Sequence, residues 1–135
     1  MLTDTSFFMA AAYPGDDNHA DAVRALRMLN DERLIMPVTI LAECMGLVRS
    51  RLGVARQRHV WEVFRSSGID IAPVDASMLE HAHDIDTRYS DVGFGFADCT
   101  LLATCEALRT ARVLSFDRRL AAYRPSFAQS LEVLP

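Results

Sequence analysis

The chain has 135 residues, half of them hydrophobic, and a formal net charge of −4. A chain of this length typically forms one domain and buries about two-thirds of the surface that its unfolded form exposes, so neither a disulfide framework nor a structural metal is required. The negative charge argues against a general nucleic-acid coat protein.

The cysteines and the N-terminal segment indicate the compartment. Cys44, Cys99 and Cys105 form no C-x-x-C pair, and their apolar surroundings favour reduced, buried thiols. The N-terminus has an acid at position 4 and no basic region, and its apolar run is shorter than the ~18 residues of a membrane span. We therefore expect a cytoplasmic protein that does not contact the membrane.

Short apolar runs alternate with amphipathic stretches along the first half of the chain. Asp4, Thr5 and Ser6 are residue types that begin helices, Thr39 is placed to cap another helix, and Gly53 is expected to break it. The predicted elements are a strand at residues 1–3, helices at 4–12 and 19–30, a strand at 34–36, and helices at 39–52 and 55–65.

The alternation continues in the second half, where Asp75 is predicted to cap a helix. The predicted elements are a strand at 69–72, helices at 76–88 and 96–108, a strand at 113–116, a short helix from 118 and a strand at 131–134. The residues predicted to point inward from the helices at 55–65 and 76–88 are Val60, Trp61, Phe64, Met78, Leu79, Ala82 and Ile85.

This alternation of strands and helices indicates βαβ units around a parallel sheet. The fold class is therefore α/β. We expect one domain over residues 1–135, with a mainly parallel central sheet of about four to five strands between helices, in three α/β/α layers.

Asp98 is placed unusually for a carboxylate. In a helix at 96–108 it shares a face with Leu101, Leu102 and Cys105, and this face is expected to point to the core. Burying an unpaired carboxylate is unfavourable. Asp98 therefore needs a partner, and a cation is one candidate.

Three further acids occupy related positions. Asp4 follows the first predicted strand, Asp117 follows the strand at 113–116, and Glu43 lies near the start of its helix, as Asp98 does. Because the carboxyl ends of parallel strands meet at one edge of the sheet, these oxygens could form a site for Mg²⁺ or Mn²⁺. Helix capping by Asp4 and Asp117 and a helix-dipole interaction of Glu43 are the simpler alternatives.

Four segments that carry these acids resemble the motifs of one family, in the family's order and with similar separations. They are LTDTS at 2–6, PVTILAE at 37–43, FADCTLLA at 96–103 and LSFDRRL at 114–120. The chain resembles the PIN domain and, within it, the VapC-like toxins of type II toxin–antitoxin systems. Ser115 stands where the family commonly has threonine, and Leu120 where it often has phenylalanine.

The resemblance implies a PIN-like domain with endoribonuclease activity on single-stranded RNA that depends on Mg²⁺ or Mn²⁺. It implies an acidic catalytic site made of Asp4, Glu43, Asp98 and Asp117. We assign Asp4, Asp98 and Asp117 as metal ligands, and Glu43 as the group that orients or deprotonates the attacking water. It also implies a homodimer and a small antitoxin protein that covers the site.

Three residues are candidates for auxiliary roles. Ser6 could bind a carboxylate or the scissile phosphate, although it could equally be a hydroxyl of the helix N-terminus. Ser115 belongs to the last of the four segments. Asp91 is an acid near the site, with loop or cap chemistry as its alternative.

Arginines near the acids are candidates for binding RNA, and the chain has no lysine. Arg118 and Arg119 directly follow Asp117 and could contact a phosphate near the metal. Arg49 and Arg51 belong to an arginine cluster around Gly53, which could follow the RNA backbone, bind acidic residues of an antitoxin or form a solvated helical face.

Two other functions compete with a nuclease. A phosphatase that uses the aspartate after the first strand is expected to have an active-site lysine, which this chain lacks. A catalytically silent PIN-like module that binds RNA or a protein partner remains the alternative, although the presence of all four acids favours the enzyme.

Overall fold

Five short strands form one parallel sheet in the computed structural model, which describes residues 1–29 and 32–135. The strands are β1 (Leu2–Thr3), β2 (Ile35–Pro37), β3 (Asp70–Ala72), β4 (Arg112–Leu114) and β5 (Glu132–Leu134). Their order across the sheet is β3-β2-β1-β4-β5, and every neighbouring pair is parallel. The predicted mainly parallel sheet of four to five strands is confirmed.

The helices occupy the predicted places. They are α1 (Thr5–Ala12), α2 (His19–Met28), α3 (Val38–Ser66), α4 (Ala76–Arg88), α5 (Phe96–Leu108) and a 3₁₀ helix at Arg118–Ala122. The predicted end of α2 at Asn30 lies outside the described residues. No helix in the described ranges is long and apolar enough to cross a membrane.

Gly53 interrupts α3 as predicted. Its backbone has φ 83° and ψ 177°, so two helical segments meet there at a kink. A positive φ is available to glycine at little cost because it has no Cβ. The helix can therefore change direction at Gly53, and its second segment still places Val60 in the hydrophobic core.

Of the helix caps predicted at Asp75 and Thr39, the first is confirmed and the second is wrong. The Asp75 side chain accepts a hydrogen bond of 2.9 Å from the Met78 backbone N–H at the start of α4. Thr39 was predicted to cap α3, but the capping position is Pro37, and Thr39 lies within the first turn. The Thr39 hydroxyl lies 2.6 Å from that of Thr100 on α5, so it joins two helices instead.

Side chains on opposite faces of the sheet enter two separate hydrophobic clusters. Val113 packs in one cluster with residues of α3, α4 and α5, whereas the next residue, Leu114, packs in the other with residues of α1 and α2. This alternation follows from the two-residue period of a strand. The helices therefore cover both faces, and the predicted three layers are confirmed.

Two of the residues predicted to point inward do not. Trp61 is 46% exposed and Leu79 is 41% exposed, whereas Val60 and Ile85 are buried. Successive helical residues are rotated by about 100°. Trp61 and Leu79 therefore lie on the flanks of their helices, next to the buried positions.

Two leucines of α5 test this account of the core. Leu102 is fully buried and Leu108 is 47% exposed. We expect Leu102→Ala to lower the free energy of unfolding by about 2–5 kcal/mol, because it leaves a cavity. Leu108→Ala should lower it by less than about 1 kcal/mol. Urea denaturation of both variants measures this, and an equal loss would contradict the packing.

Candidate acidic active site

The four predicted acids meet at the carboxyl end of the sheet. Asp4 directly follows β1 and Asp117 comes three residues after β4, while Glu43 lies in the second turn of α3 and Asp98 in the first turn of α5. All four line one cleft of about 550 Å³, together with Asp16. We call this cleft, defined by its five carboxylates, the acidic cleft.

The Asp4 carboxylate is buried and fixed by two serines. Its Oδ2 atom accepts hydrogen bonds of 2.7 Å from the Ser6 hydroxyl and 2.7 Å from the Ser115 hydroxyl, and a longer one of 3.3 Å from the Ser6 backbone N–H. No donor from the described residues is bonded to its other oxygen, Oδ1. Oδ2 of Asp4 thus accepts the hydrogen bonds that fix the side chain, and Oδ1 is available to a ligand in the cleft.

The same two hydroxyls position the segment that carries Asp117. The Ser115 oxygen accepts a hydrogen bond of 2.9 Å from the Asp117 backbone N–H, and the Ser6 oxygen accepts one of 3.0 Å from Phe116. Because each hydroxyl has one proton, and each proton is directed to Asp4, both serines link Asp4 to the end of β4. Two of the predicted auxiliary residues therefore contact the site.

Asp91, the third predicted auxiliary residue, is placed differently. It is exposed in the turn between α4 and α5 and does not line the acidic cleft. Two glycines of the same connection, Gly93 and Gly95, do line it.

Glu43 is held by a residue that the sequence analysis did not select. The Thr5 hydroxyl donates a short hydrogen bond to Oε2 of Glu43 and so links the start of α1 to α3. Asp16, in the loop after α1, also lines the cleft and was not among the predicted site residues. Thr5 lies next to Asp4 in the sequence, but nothing local indicates its contact with a residue 38 positions away.

Asp98 has the partners that its apolar helix face requires. Its side chain is 16% exposed, and its Oδ2 atom accepts a hydrogen bond of 2.8 Å from the Gly95 backbone N–H, which caps α5. Burial raises the pKa of the Asp98 carboxyl, and the charges of Asp4 and Asp117 raise it further, against the lowering effect of the Gly95 hydrogen bond.

The cation closest to these acids is the guanidinium of Arg119. Its Nε atom lies 3.0 Å from each oxygen of Asp117, and its Nη2 atom lies 2.5 Å from Oδ2 of Asp117 and 3.7 Å from Oδ2 of Asp98. Its Nη1 atom donates a hydrogen bond of 3.0 Å to the Gly93 carbonyl. These hydrogen bonds from Arg119 are the main cause of the lowered pKa of Asp117.

The chemistry of the cleft suits a divalent cation. Its charged donors are carboxylate oxygens, the ligands that Mg²⁺ and Mn²⁺ prefer. Among the described residues, no three His, Cys, Asp or Glu side chains are already grouped as metal ligands. Arg119 lies between Asp98 and Asp117, so a metal ion would compete with the guanidinium for these carboxylates. The donor set fits the ion.

Residues 1–124 match the PIN domain family. The chain belongs to this family. It is also 29% identical over 136 residues to Ribonuclease VapC26 of Mycobacterium tuberculosis (strain ATCC 25618 / H37Rv), and the match covers both chains completely. The membership that the four sequence segments predicted is confirmed.

Solved structures support the same PIN fold. The Mycobacterium tuberculosis toxin VapC20, described as cleaving the sarcin-ricin loop, has a TM-score of 0.82 at 23% identity, covering 95% of this chain and 98% of VapC20. The Rickettsia felis VapBC2 structure, bound to a promoter DNA fragment, has a TM-score of 0.73 at 16% identity, covering 99% and 98%. A Klebsiella pneumoniae toxin–antitoxin complex has a TM-score of 0.59 at 18% identity, covering 84% and 83%.

All three cysteines of this PIN domain are buried, which disfavours a role as nucleophiles. Cys44 is adjacent to Glu43 in sequence but is fully buried, and burial raises its thiol pKa to about 12. A thiol with this pKa is protonated at neutral pH. Cysteine chemistry therefore does not compete with the acids as an explanation of the cleft.

The four arginines predicted to bind RNA have different environments. Arg119 pairs with the acids, and Arg118 donates hydrogen bonds to the carbonyls of Val133 and Pro135 at 3.2 and 2.7 Å. Arg49 donates one of 3.3 Å to the side chain of Gln57. Arg51 lines the acidic cleft.

The contact between Arg119 and Asp117 can be tested by titration without metal. We expect Arg119→Ala to raise the pKa of Asp117 towards its ordinary value, because it removes the hydrogen bonds that favour the ionised carboxylate. Carboxyl-detected NMR in the presence of a chelator measures this pKa. Arg118→Ala is the matched control and should leave it unchanged; an equal effect of both variants would contradict a specific contact.

Proposed function

We propose that this PIN domain is an endoribonuclease that hydrolyses single-stranded RNA with the help of Mg²⁺ or Mn²⁺. The observation that carries the proposal is the convergence of Asp4, Glu43, Asp98 and Asp117 on one cleft. Asp4 and Asp117 also cap α1 and the 3₁₀ helix, but capping does not account for Glu43 and Asp98 lining the same cleft. The relative VapC26 is named as a ribonuclease, which supports the same activity.

Asp4, Asp98 and Asp117 are the proposed ligands of the metal ion. When bound, such an ion activates water as a nucleophile and neutralises charge on the phosphoryl oxygens. Asp4 is prepared for this role because Ser6 and Ser115 fix its Oδ2 atom. Its Oδ1 atom can then face the cleft without a change of side-chain conformation.

Glu43 is the proposed group that orients the attacking water or accepts its proton. It projects from α3, whereas the proposed ligands follow strands or lie on α5. The hydrogen bond from Thr5 occupies one of its oxygens. The other oxygen can accept the proton, as general base catalysis requires.

We also propose that the protein is a toxin that a small antitoxin protein neutralises by covering the cleft, and that it forms a homodimer. One structural relative is described as a toxin–antitoxin complex, which supports such a partner. Expression of the wild-type protein should arrest growth, and co-expression of the protein encoded by a short neighbouring reading frame should relieve the arrest and yield a co-purifying complex. Growth arrest that this protein does not relieve would contradict the pairing.

Asp98→Asn tests the catalytic assignment. The amide keeps the size of the side chain but removes a charged ligand, so we expect cleavage of single-stranded RNA to fall by about 100-fold or more. Gel-based cleavage assays with Mg²⁺ or Mn²⁺ measure this, and a chelator should also abolish cleavage. Circular dichroism should show an unchanged fold.

Asp91→Asn is the matched control, because it makes the same chemical change at an exposed acid outside the cleft. It should cleave RNA at the wild-type rate. Wild-type cleavage by the Asp98 variant would show that the site is assigned wrongly.

Arg119→Ala tests whether the metal and the arginine compete for the same acids. We expect the variant to bind Mn²⁺ about two- to ten-fold more tightly than the wild type, because a partly exposed ion pair no longer has to be broken. The fraction of free Mn²⁺, followed by electron paramagnetic resonance, measures this affinity. Arg118→Ala should bind Mn²⁺ as the wild type does, and weaker binding by the Arg119 variant would exclude competition.

A catalytically silent module that binds RNA or a protein partner is the second candidate. The ion pair of Arg119 with Asp98 and Asp117 favours it, since an internal cation already neutralises part of the cleft. A silent module would release no new RNA 5′ ends in cells after brief induction. The enzyme would produce such ends, and the Asp98→Asn variant would not.

A further inference from the structure

The excess of negative charge in the acidic cleft disfavours RNA binding. Five carboxylates line it against two arginines, Arg51 and Arg119. A phosphate backbone is repelled by uncompensated carboxylates at short range. RNA that enters this cleft therefore needs a cationic side chain at its border, in addition to any metal ion among the acids.

Arg119 is poorly placed for this task. Its three guanidinium nitrogens already contact Asp117, Asp98 or the Gly93 carbonyl. Any phosphate would have to compete with two carboxylates for it. Arg119 thus acts first as the internal counter-ion of the acids.

The guanidinium of Arg51, unlike that of Arg119, is not engaged by carboxylates or carbonyls of the described residues. Arg51 is exposed, and within residues 1–29 and 32–135 no carboxylate lies within 4 Å of its guanidinium and no hydrogen bond of its side chain is formed. Arg49, two residues earlier, is directed elsewhere and bonds to Gln57. Arg51 is therefore the cation of the cleft that is available to a ligand.

Arg51 shares a face of α3 with Glu43. Glu43, Leu47 and Arg51 are spaced four residues apart, and all three line the cleft, so they form one face of the helix. Eight residues of helix place the Cα atom of Arg51 roughly 12 Å from that of Glu43 along the axis. Arg51 thus lies at one end of the cleft, displaced from the acids.

We propose that Arg51 positions the RNA by binding a backbone phosphate next to the one that is cleaved. The guanidinium forms the paired hydrogen bonds that phosphate oxygens accept, without reading the base. The first segment of α3 then carries both Glu43 and Arg51, and Arg51 aligns the RNA strand with Glu43. This inference rests on the proposed function only in that the ligand of the cleft is RNA.

The test measures RNA binding separately from cleavage. All variants carry Asp98→Asn, and the probe is a fluorescent, unstructured RNA oligonucleotide of mixed sequence, followed by anisotropy at several salt concentrations. We expect Arg51→Ala to weaken binding and to reduce the slope of log K against log salt by about 0.7, the value for one phosphate contact on a single strand. Arg51→Lys should restore the slope, because it keeps the charge.

Arg49→Ala is the matched comparison. It removes the same charge two residues away, so it should leave the slope close to that of the parent. An unchanged slope for Arg51→Ala would overturn the inference. An equal reduction for both variants would also overturn it, because it would show general attraction by the arginine cluster.

A kinetic measurement on the protein with an intact Asp98 separates positioning from chemistry. Arg51→Ala should raise KM while kcat stays within about two-fold, the signature of lost binding that is equal in the ground and transition states. A loss confined to kcat would contradict the assignment. If the wild type cleaves no RNA with Mg²⁺ or Mn²⁺ but the salt slope still depends on Arg51, the proposed catalysis fails and the phosphate contact stands.

Discussion

Repulsion between carboxylates is the physical constraint on which this structure depends. The parallel sheet brings Asp4 and Asp117 to one edge, and α5 adds Asp98 to the same place. Burial raises the pKa of Asp98, and the nearby charges of Asp4 and Asp117 raise it further. Arg119 offsets part of this repulsion, and a divalent ion would offset more of it. The need for a cation therefore follows from the fold itself.

The neutral hydroxyls around the acids orient the carboxylates. Ser6 and Ser115 bind one oxygen of Asp4, and Thr5 binds one oxygen of Glu43. Each carboxylate keeps a second oxygen for the cleft. Held in this way, the acids lose little conformational freedom when a ligand arrives, which favours both binding and catalysis. The hydroxyls thus fix the orientation of the carboxylates, which the charges alone would not do.

Much of this fold could be predicted from the sequence because its signals are local. The bounds of α5 follow from apolar periodicity, and the break in α3 follows from Gly53. The four acids were found because each lies at a strand end or a helix start. Contacts between distant segments could not be predicted: Ser115 lies 111 residues from Asp4, and Thr5 lies 38 residues from Glu43. Side-chain direction decides these contacts, and sequence spacing does not determine it. The same limitation explains the error at Trp61, which the helical period alone placed inside.

A crystal structure of the protein soaked in Mn²⁺ tests the central claim most directly. The anomalous signal of manganese locates the ion independently of its ligands. The account predicts one or more peaks within coordination distance of Asp4, Asp98 and Asp117, with the Arg119 guanidinium moved away from Asp98. Manganese bound only elsewhere, with Arg119 still bridging Asp98 and Asp117, would contradict the claim that these acids form a metal site.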